Sequence, residues 1–223
     1  WNNWDSKNEK IGNIIRVQKG AGNGKTYEIW KSILEDENKT TFFLLTKVQS
    51  GVRVLFEELE SQKKRNEEHL KNMTCLSTND VMNGSPKYII EYENNITKKK
   101  IKIILGTIDS FSCALCEFNV KTHDVFNELQ RSINKNGITK INTKGEIKYA
   151  GERLKLNKET QIWIDEAQDL SLNYFDSFVK IILQTGCDIG FVGDKLQSLH
   201  YEENIFTLKT EDFKFNQINF IDK

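Results

Sequence analysis

The chain has 223 residues, with 32 lysines and arginines against 32 aspartates and glutamates, so its formal net charge is zero. That balance gives no global electrostatic pull toward nucleic acid, a membrane surface or a polyacid. With 29% charged and 38% hydrophobic residues, the composition excludes a disordered chain and a membrane-embedded one.

A single proline, where average usage of about 5% gives roughly eleven, excludes proline-rich linkers. Cys75, Cys113, Cys116 and Cys187 are too scattered for a disulfide framework, which predicts a reducing, intracellular setting: cytoplasm, nucleus or a viral replication site. No run approaches the roughly 20 apolar residues of a membrane span, and no membrane partner is expected. The N-terminus lacks a signal-peptide pattern. It begins with Trp1 rather than Met, which predicts an excerpt of a longer chain.

In chain order, Ile14–Gln18 reads as a short buried strand entering a glycine cluster. A helix follows, with Ile29, Ile33 and Leu34 at helical spacing. Thr41–Thr46 is a second strand, with a helix after it through Val52 to Arg65. This β-α-β-α opening predicts an α/β fold with a parallel sheet. From Asn66 to about Lys100 the pattern loosens, with a turn at Asn83–Pro86 and then two strands, KYIIEYE and KKKIKIIL, that read as a hairpin about Asn94-Asn95. GTIDSFSCALCEF leaves a strand end and becomes a helix, and 119–160 is a polar, net basic insertion or small subdomain. QIWIDEAQDL and CDIGFVGD then restore the rhythm of apolar strand into loop, separated by the helical SLNYFDSFVKIILQ.

Three strand ends carry the chemistry. Gly20, Ala21, Gly22, Asn23, Gly24, Lys25 and Thr26 form a phosphate-binding loop. Glycines let successive N–H groups turn in on phosphate oxygens, the next helix points its positive end at them, Lys25 adds a charge, and the Thr26 hydroxyl suits Mg²⁺. The strict pattern wants glycine where this chain has Lys19. The bland alternative is a glycine-rich turn.

In IWIDEAQDL an apolar strand ends in Asp165 and Glu166. One carboxylate there can hold the metal's water shell and the next can orient and deprotonate an attacking water, though an isolated acid pair is more often a solvated helix start. FVGDKLQSLH presents Gln197 just after a third strand, placed to read a γ-phosphate, or a turn with a polar cap. Parallel strands bring all three ends to one edge, where open α/β sheets bind ligands.

GAGNGKT, LLTKVQSGVRVLFEEL, GTIDSF, IDEAQDL and VGDKLQSLH together resemble motifs I, Ia, Ib, II and III of superfamily 1 helicases, most closely the UvrD/Rep branch, from about Ile14 to His200. The resemblance implies a first RecA-like P-loop NTPase domain over 1–223: a central parallel sheet flanked by helices, with insertions at about 66–100 and 119–160. It implies ATP and Mg²⁺ as cofactors, with Lys25 on the β- and γ-phosphates, Thr26 and Asp165 on the metal, Glu166 activating water and Gln197 sensing the γ-phosphate. Gln168 and Asp169 would link the nucleotide to the domain interface. Thr46, Thr107 and Ser110 would meet the backbone of single-stranded nucleic acid, DNA in most of this branch.

Departures from the family pattern are also visible. No Gln precedes Gln18 to read adenine. His200 replaces a usual tyrosine, and Tyr201 is the one aromatic nearby to stack a base, or a partly buried tyrosine. Lys98, Lys99, Lys100 and Lys102, with Lys121 through Lys158, form either a basic track for phosphates or a solvated face. Cys113 and Cys116 have metal-ligand spacing with His123 beyond, but lack a second pair and read as core. Trp30 and Trp163 read as core.

The expected function is the ATPase motor of a DNA helicase. Its partner would be a second RecA-like domain lying C-terminal to this chain, without which activity is low. The alternatives are a stand-alone P-loop NTPase switch and a nucleic-acid-binding module derived from a helicase domain.

Overall fold

The structure is a computed structural model that describes residues 12–20, 22–81, 86–116, 125–136, 145–198, 203–209 and 218–223. Trp1, Trp4, Ala21, His123, His200 and Tyr201 lie outside them.

The elements are β1 (Gly12–Gln18), α1 (Lys25–Glu35), β2 (Thr41–Thr46), α2 (Gln49–Arg65), β3 (Met73–Val81), β4 (Lys87–Asn94) and β5 (Lys100–Thr107). They continue with α3 (Ile108–Leu115), α4 (Val125–Asn136), β6 (Glu146–Tyr149), β7 (Glu152–Lys155), β8 (Thr160–Ile164), α5 (Leu172–Thr185), β9 (Asp188–Gly193) and β10 (Ile218–Asp222). Short 3-10 turns cover Glu68–Leu70, Ala167–Asp169 and Lys195–Gln197.

Eight strands form one sheet in the order β10-β1-β9-β8-β2-β5-β4-β3. From β10 to β5 all neighbours are parallel, while β4 is antiparallel to both β5 and β3. The β4–β5 pair is the hairpin read from the sequence, with Tyr88 opposite Leu105 and Glu93 opposite Lys100. This is a mostly parallel sheet flanked by helices, the RecA-like P-loop NTPase α/β fold.

Alternation along the strands divides the core in two. Phe42 and Leu44 of β2 face α1 and α2, packing with Ile29, Trp30, Ile33, Val52, Leu55 and Trp163. Phe43 and Leu45 face the other way, into a cluster with Phe111 of α3, Leu129 of α4 and Phe178 of α5. Strands buried on both faces read as continuous apolar runs, which is what TFFLLT and TQIWI are. Trp30 and Trp163 are core as expected, and the Trp30 indole donates to Leu55 O across the α1–α2 contact at 3.0 Å.

The two segments read from the sequence as insertions have different fates. The first becomes β3 and β4 and widens the sheet. β3 is its outer edge: it is largely exposed, has Asp80 as its one charged residue, and breaks register between Cys75 and Ser77. Of the second, Leu129, Ile147, Tyr149, Leu154 and Leu156 join the core cluster around α3 and α5, so its described residues are not a separate subdomain. No helix among the described residues is long and apolar enough to cross a membrane.

Candidate nucleotide site

The parallel register brings strand ends together: Gln18 pairs with Gly193, Thr46 with Thr107, and Leu45 with Ile164. β9 lies between β1 and β8, so its end sits between the glycine loop and the Asp165-Glu166 pair.

The loop is built on backbone freedom. Gly22 and Gly24 both adopt left-handed φ values of 71° and 72°, which side chains resist. Gly24 is the N-cap of α1 and gives it no side-chain cap. Among the described residues no side chain caps the first N–H groups of that helix, which suits an anionic ligand. Lys19, where the strict pattern has glycine, does not fill the loop: its ammonium pairs with Glu28 at 2.9 Å, and its backbone N–H donates to Gly193 O at 3.0 Å.

Lys25, the first residue of α1, reaches across to the other two strand ends. Its ammonium donates to Glu166 Oε2 and to Gln197 Oε1, each at 3.2 Å. Three residues separated by up to 172 positions in sequence thus meet at one cation. Glu166 itself sits in the left-handed region at φ 54°, a conformation that costs a non-glycine residue about 1–2 kcal/mol. The strand is bent sharply there, immediately after β8.

Gln168 braces that bend. It is buried, and its amide donates from Nε2 to Glu166 Oε2 at 2.6 Å while Oε1 accepts from the Asp194 N–H at 3.2 Å. Its carbonyl accepts from Ser198 Oγ at 3.3 Å. Asp194 caps the Lys195–Gln197 turn through the Leu196 N–H at 3.0 Å. Gly193 makes this possible: a Cβ there would strike the Gln168 amide oxygen and the Phe206 ring. The requirement at Gly193 and the brace through Gln168 were not legible in the sequence, although the Gly-Asp pair after an apolar run marked the place.

Asp165 is buried behind Glu166 and accepts the Glu166 N–H at 3.0 Å. Burial, with the Glu166 charge beside it, pushes its carboxyl up to about 6. A carboxylate so short of compensation suits a cation as neighbour. Thr26 lies half-buried at the first turn of α1.

The residues expected to meet nucleic acid occupy the next two strand ends. The Thr46 side chain is 2% exposed and packs against Gly51. Thr107 is 4% exposed, and its hydroxyl caps α3 by accepting the Ser110 N–H at 3.3 Å. Both hydroxyls are turned inward, because capping and close packing occupy them. Ser110 is half-buried, bonding to Thr107 O at 2.9 Å and to the Tyr149 hydroxyl at 2.6 Å. Lys47, one residue beyond Thr46, donates to Asp169 O at 3.0 Å and ties this edge to the Asp165–Asp169 segment.

The lysine run does not reach this edge. Lys102 is in register with Thr41, at the opposite end of the sheet, and pairs with Glu91 at 3.1 Å and Glu152 at 2.6 Å. Lys99 donates to Glu37 O at 2.6 Å. Lys102 is held by two carboxylates and Lys99 by a carbonyl, both at the end of the sheet away from the nucleotide edge. Cys113 and Cys116 lie on and just after α3, and burial pushes the Cys116 thiol up to about 12, as for a core cysteine.

Among solved structures, the large terminase of a thermophilic bacteriophage matches at 11% identity and TM-score 0.41, covering 96% of this chain and 40% of that one. The large terminase ATPase domain of Thermus phage P74-26 matches at 9% identity and TM-score 0.40, covering 97% and 80%. The chain thus spans about 40% of the length of the first of these terminases. No curated protein matches. The AAA domain family model matches residues 8–202, and that stretch contains the glycine loop, Asp165, Glu166 and Gln197. The chain belongs to the AAA domain family of P-loop nucleoside triphosphatases.

Proposed function

We propose that this chain is the ATP-hydrolysing motor domain of a superfamily 1, UvrD/Rep-like DNA helicase, which couples Mg-ATP hydrolysis to movement along a single strand. The observation that carries the reading is the meeting of Lys25, Glu166 and Gln197 at one point between three strand ends. A bare phosphate loop would need only the first of them.

The residues fit a magnesium nucleotide. Asp165 and Thr26 would hold the metal, Asp165 being a buried carboxyl that gains from a neighbouring cation. When bound, Mg²⁺ neutralises charge on the β- and γ-phosphates. The remaining work falls to the chain. Backbone N–H groups of the glycine loop and of the α1 start cradle phosphate oxygens. Lys25 exchanges Glu166 and Gln197 for those oxygens, which frees the Glu166 carboxylate to take a proton from water. Gln197, released at the same time, can hydrogen-bond the terminal phosphate and report its presence through Ser198 and Gln168. A second RecA-like domain would supply the positive charges that complete the site, so this chain alone is expected to bind ATP weakly, turn it over slowly and leave duplexes paired.

The test is ATP turnover with and without single-stranded DNA, by the chain as it stands and by Lys25→Ala. Turnover raised by the strand and abolished by the substitution supports the motor. Turnover indifferent to DNA points to a switch, and strand binding without any turnover to a binding module.

A further inference from the structure

The hairpin β6–β7 places Tyr149 under the corner between β5 and α3. The Tyr149 side chain is almost fully buried, with its ring against Phe43 and edge-on to Phe111. Its hydroxyl sits over Gly106, where a Cβ would collide with it. Glycine at 106 is thus the space that admits this phenol. The one hydrogen bond the hydroxyl makes among the described residues is to Ser110 Oγ, at 2.6 Å.

Counting protons decides the direction of that bond. Ser110 has one hydroxyl proton, and at 2.9 Å from Thr107 O it has an acceptor that can only accept. With that proton spent on the carbonyl, the phenol is the donor and Ser110 Oγ the acceptor. Tyr149 keeps its proton, since burial raises its pKa. Ser110 is half-buried, and its hydroxyl is the middle of a three-residue chain from Tyr149 through Ser110 to Thr107. Such a chain polarises its terminal proton.

We infer that Tyr149 is a positioning residue for a nucleic-acid phosphate at Ser110. By donating to Ser110 Oγ it directs the Ser110 proton away from the phenol, so that this proton can exchange the Thr107 carbonyl for a phosphate oxygen of a single strand lying over the sheet edge. The inference rests on the single-strand function proposed above and on the sequence expectation that Ser110 meets the strand. It gives the second insertion a role, because the hairpin carries the residue that sets the donor direction at the strand end.

The test is fluorescence anisotropy of a fluorescein-labelled oligothymidylate with the full chain, Tyr149→Phe, Ser110→Ala and the double variant. Tyr149→Phe keeps the ring and removes the donor, and it is expected to weaken binding about 2- to 12-fold, the worth of one net hydrogen bond. In the Ser110→Ala background the same change is expected to have no further effect, because the residue through which it acts is gone. A fluorescent ATP analogue should bind Tyr149→Phe as it binds the unaltered chain, which shows that the fold survives. Equal affinity of Tyr149→Phe and the unaltered chain overturns the inference and leaves the nucleic-acid reading standing. An equal loss in both backgrounds also overturns it, since that marks a packing role. If the unaltered chain does not bind the oligonucleotide, the nucleic-acid reading falls and takes this inference with it.

Discussion

Lys25 Nζ lies 3.2 Å from Glu166 Oε2, an ion pair between the first residue of α1 and the second residue beyond β8. The lysine side chain is 10% exposed and the glutamate 42% exposed, so the pair is open to solvent on the glutamate side. A phosphate can therefore approach Lys25 and displace Glu166 without first opening the core.

Lys25→Ala is expected to weaken nucleotide binding about 10- to 100-fold, the loss of charge-assisted hydrogen bonds to phosphate. Titration of a fluorescent ATP analogue checks this. An affinity within twofold of the unaltered chain would show that Lys25 does not face the phosphates.

Glu166→Gln keeps the shape and the hydrogen bond from Gln168 but cannot accept a proton. ATP turnover should fall about 10²- to 10⁴-fold while nucleotide binding persists. Phosphate release, read against analogue binding on the same samples, separates the two effects. Loss of both would mean that the residue holds the fold rather than the water.

Gly193→Ala puts a methyl group into the Gln168 amide and the Phe206 ring. Overpacking of this kind costs about 1–3 kcal/mol, seen as a lowered Tm. Displacing Gln168 also unbraces Glu166, so turnover should drop more than nucleotide affinity. A variant with unchanged Tm and turnover would remove the brace from the account.

His69 supplies a pH signature away from the site. It is buried, bonded to Gln62 at 2.8 Å and edge-on to Tyr27, and desolvation lowers its pKa below the ordinary 6.5. Glu67 and Glu35 pull the other way, and Lys31 reinforces the shift. The unfolded chain takes up its proton first as pH falls, so the contribution of neutral His69 to stability is intact above about 6.5 and is lost below it. Thermal melts of His69→Gln should show a shallower decline in Tm than the unaltered chain as pH falls from about 7 to 5. Parallel curves would contradict this.

Much of this was legible from local pattern. TFFLLT and QIWI are apolar runs long enough only for strands, and the two strands flanking Asn94-Asn95 pair as a hairpin. Gly22 and Gly24 hold the backbone turns that a phosphate loop needs. What escaped were particular partners set by distant pairing. β10 pairs with β1 through residues roughly two hundred positions away, so no local signal marks it. Tyr149 lies 39 residues from Ser110, inside a polar stretch whose burial depends on Gly106 having no side chain. The charge of Lys102 was visible in sequence, but Glu91 and Glu152, which neutralise it, come from two other strands.

Among the described residues the outer flank of β3 pairs with no further strand, which bears on the solution behaviour of the chain. Its outward N–H and C=O groups invite a further strand, and with one charge and no proline in nine residues it has little to deter one beyond the irregularity at Cys75–Ser77. The strand with the least to do with phosphate chemistry is thus the one expected to limit how concentrated the protein can become before it associates.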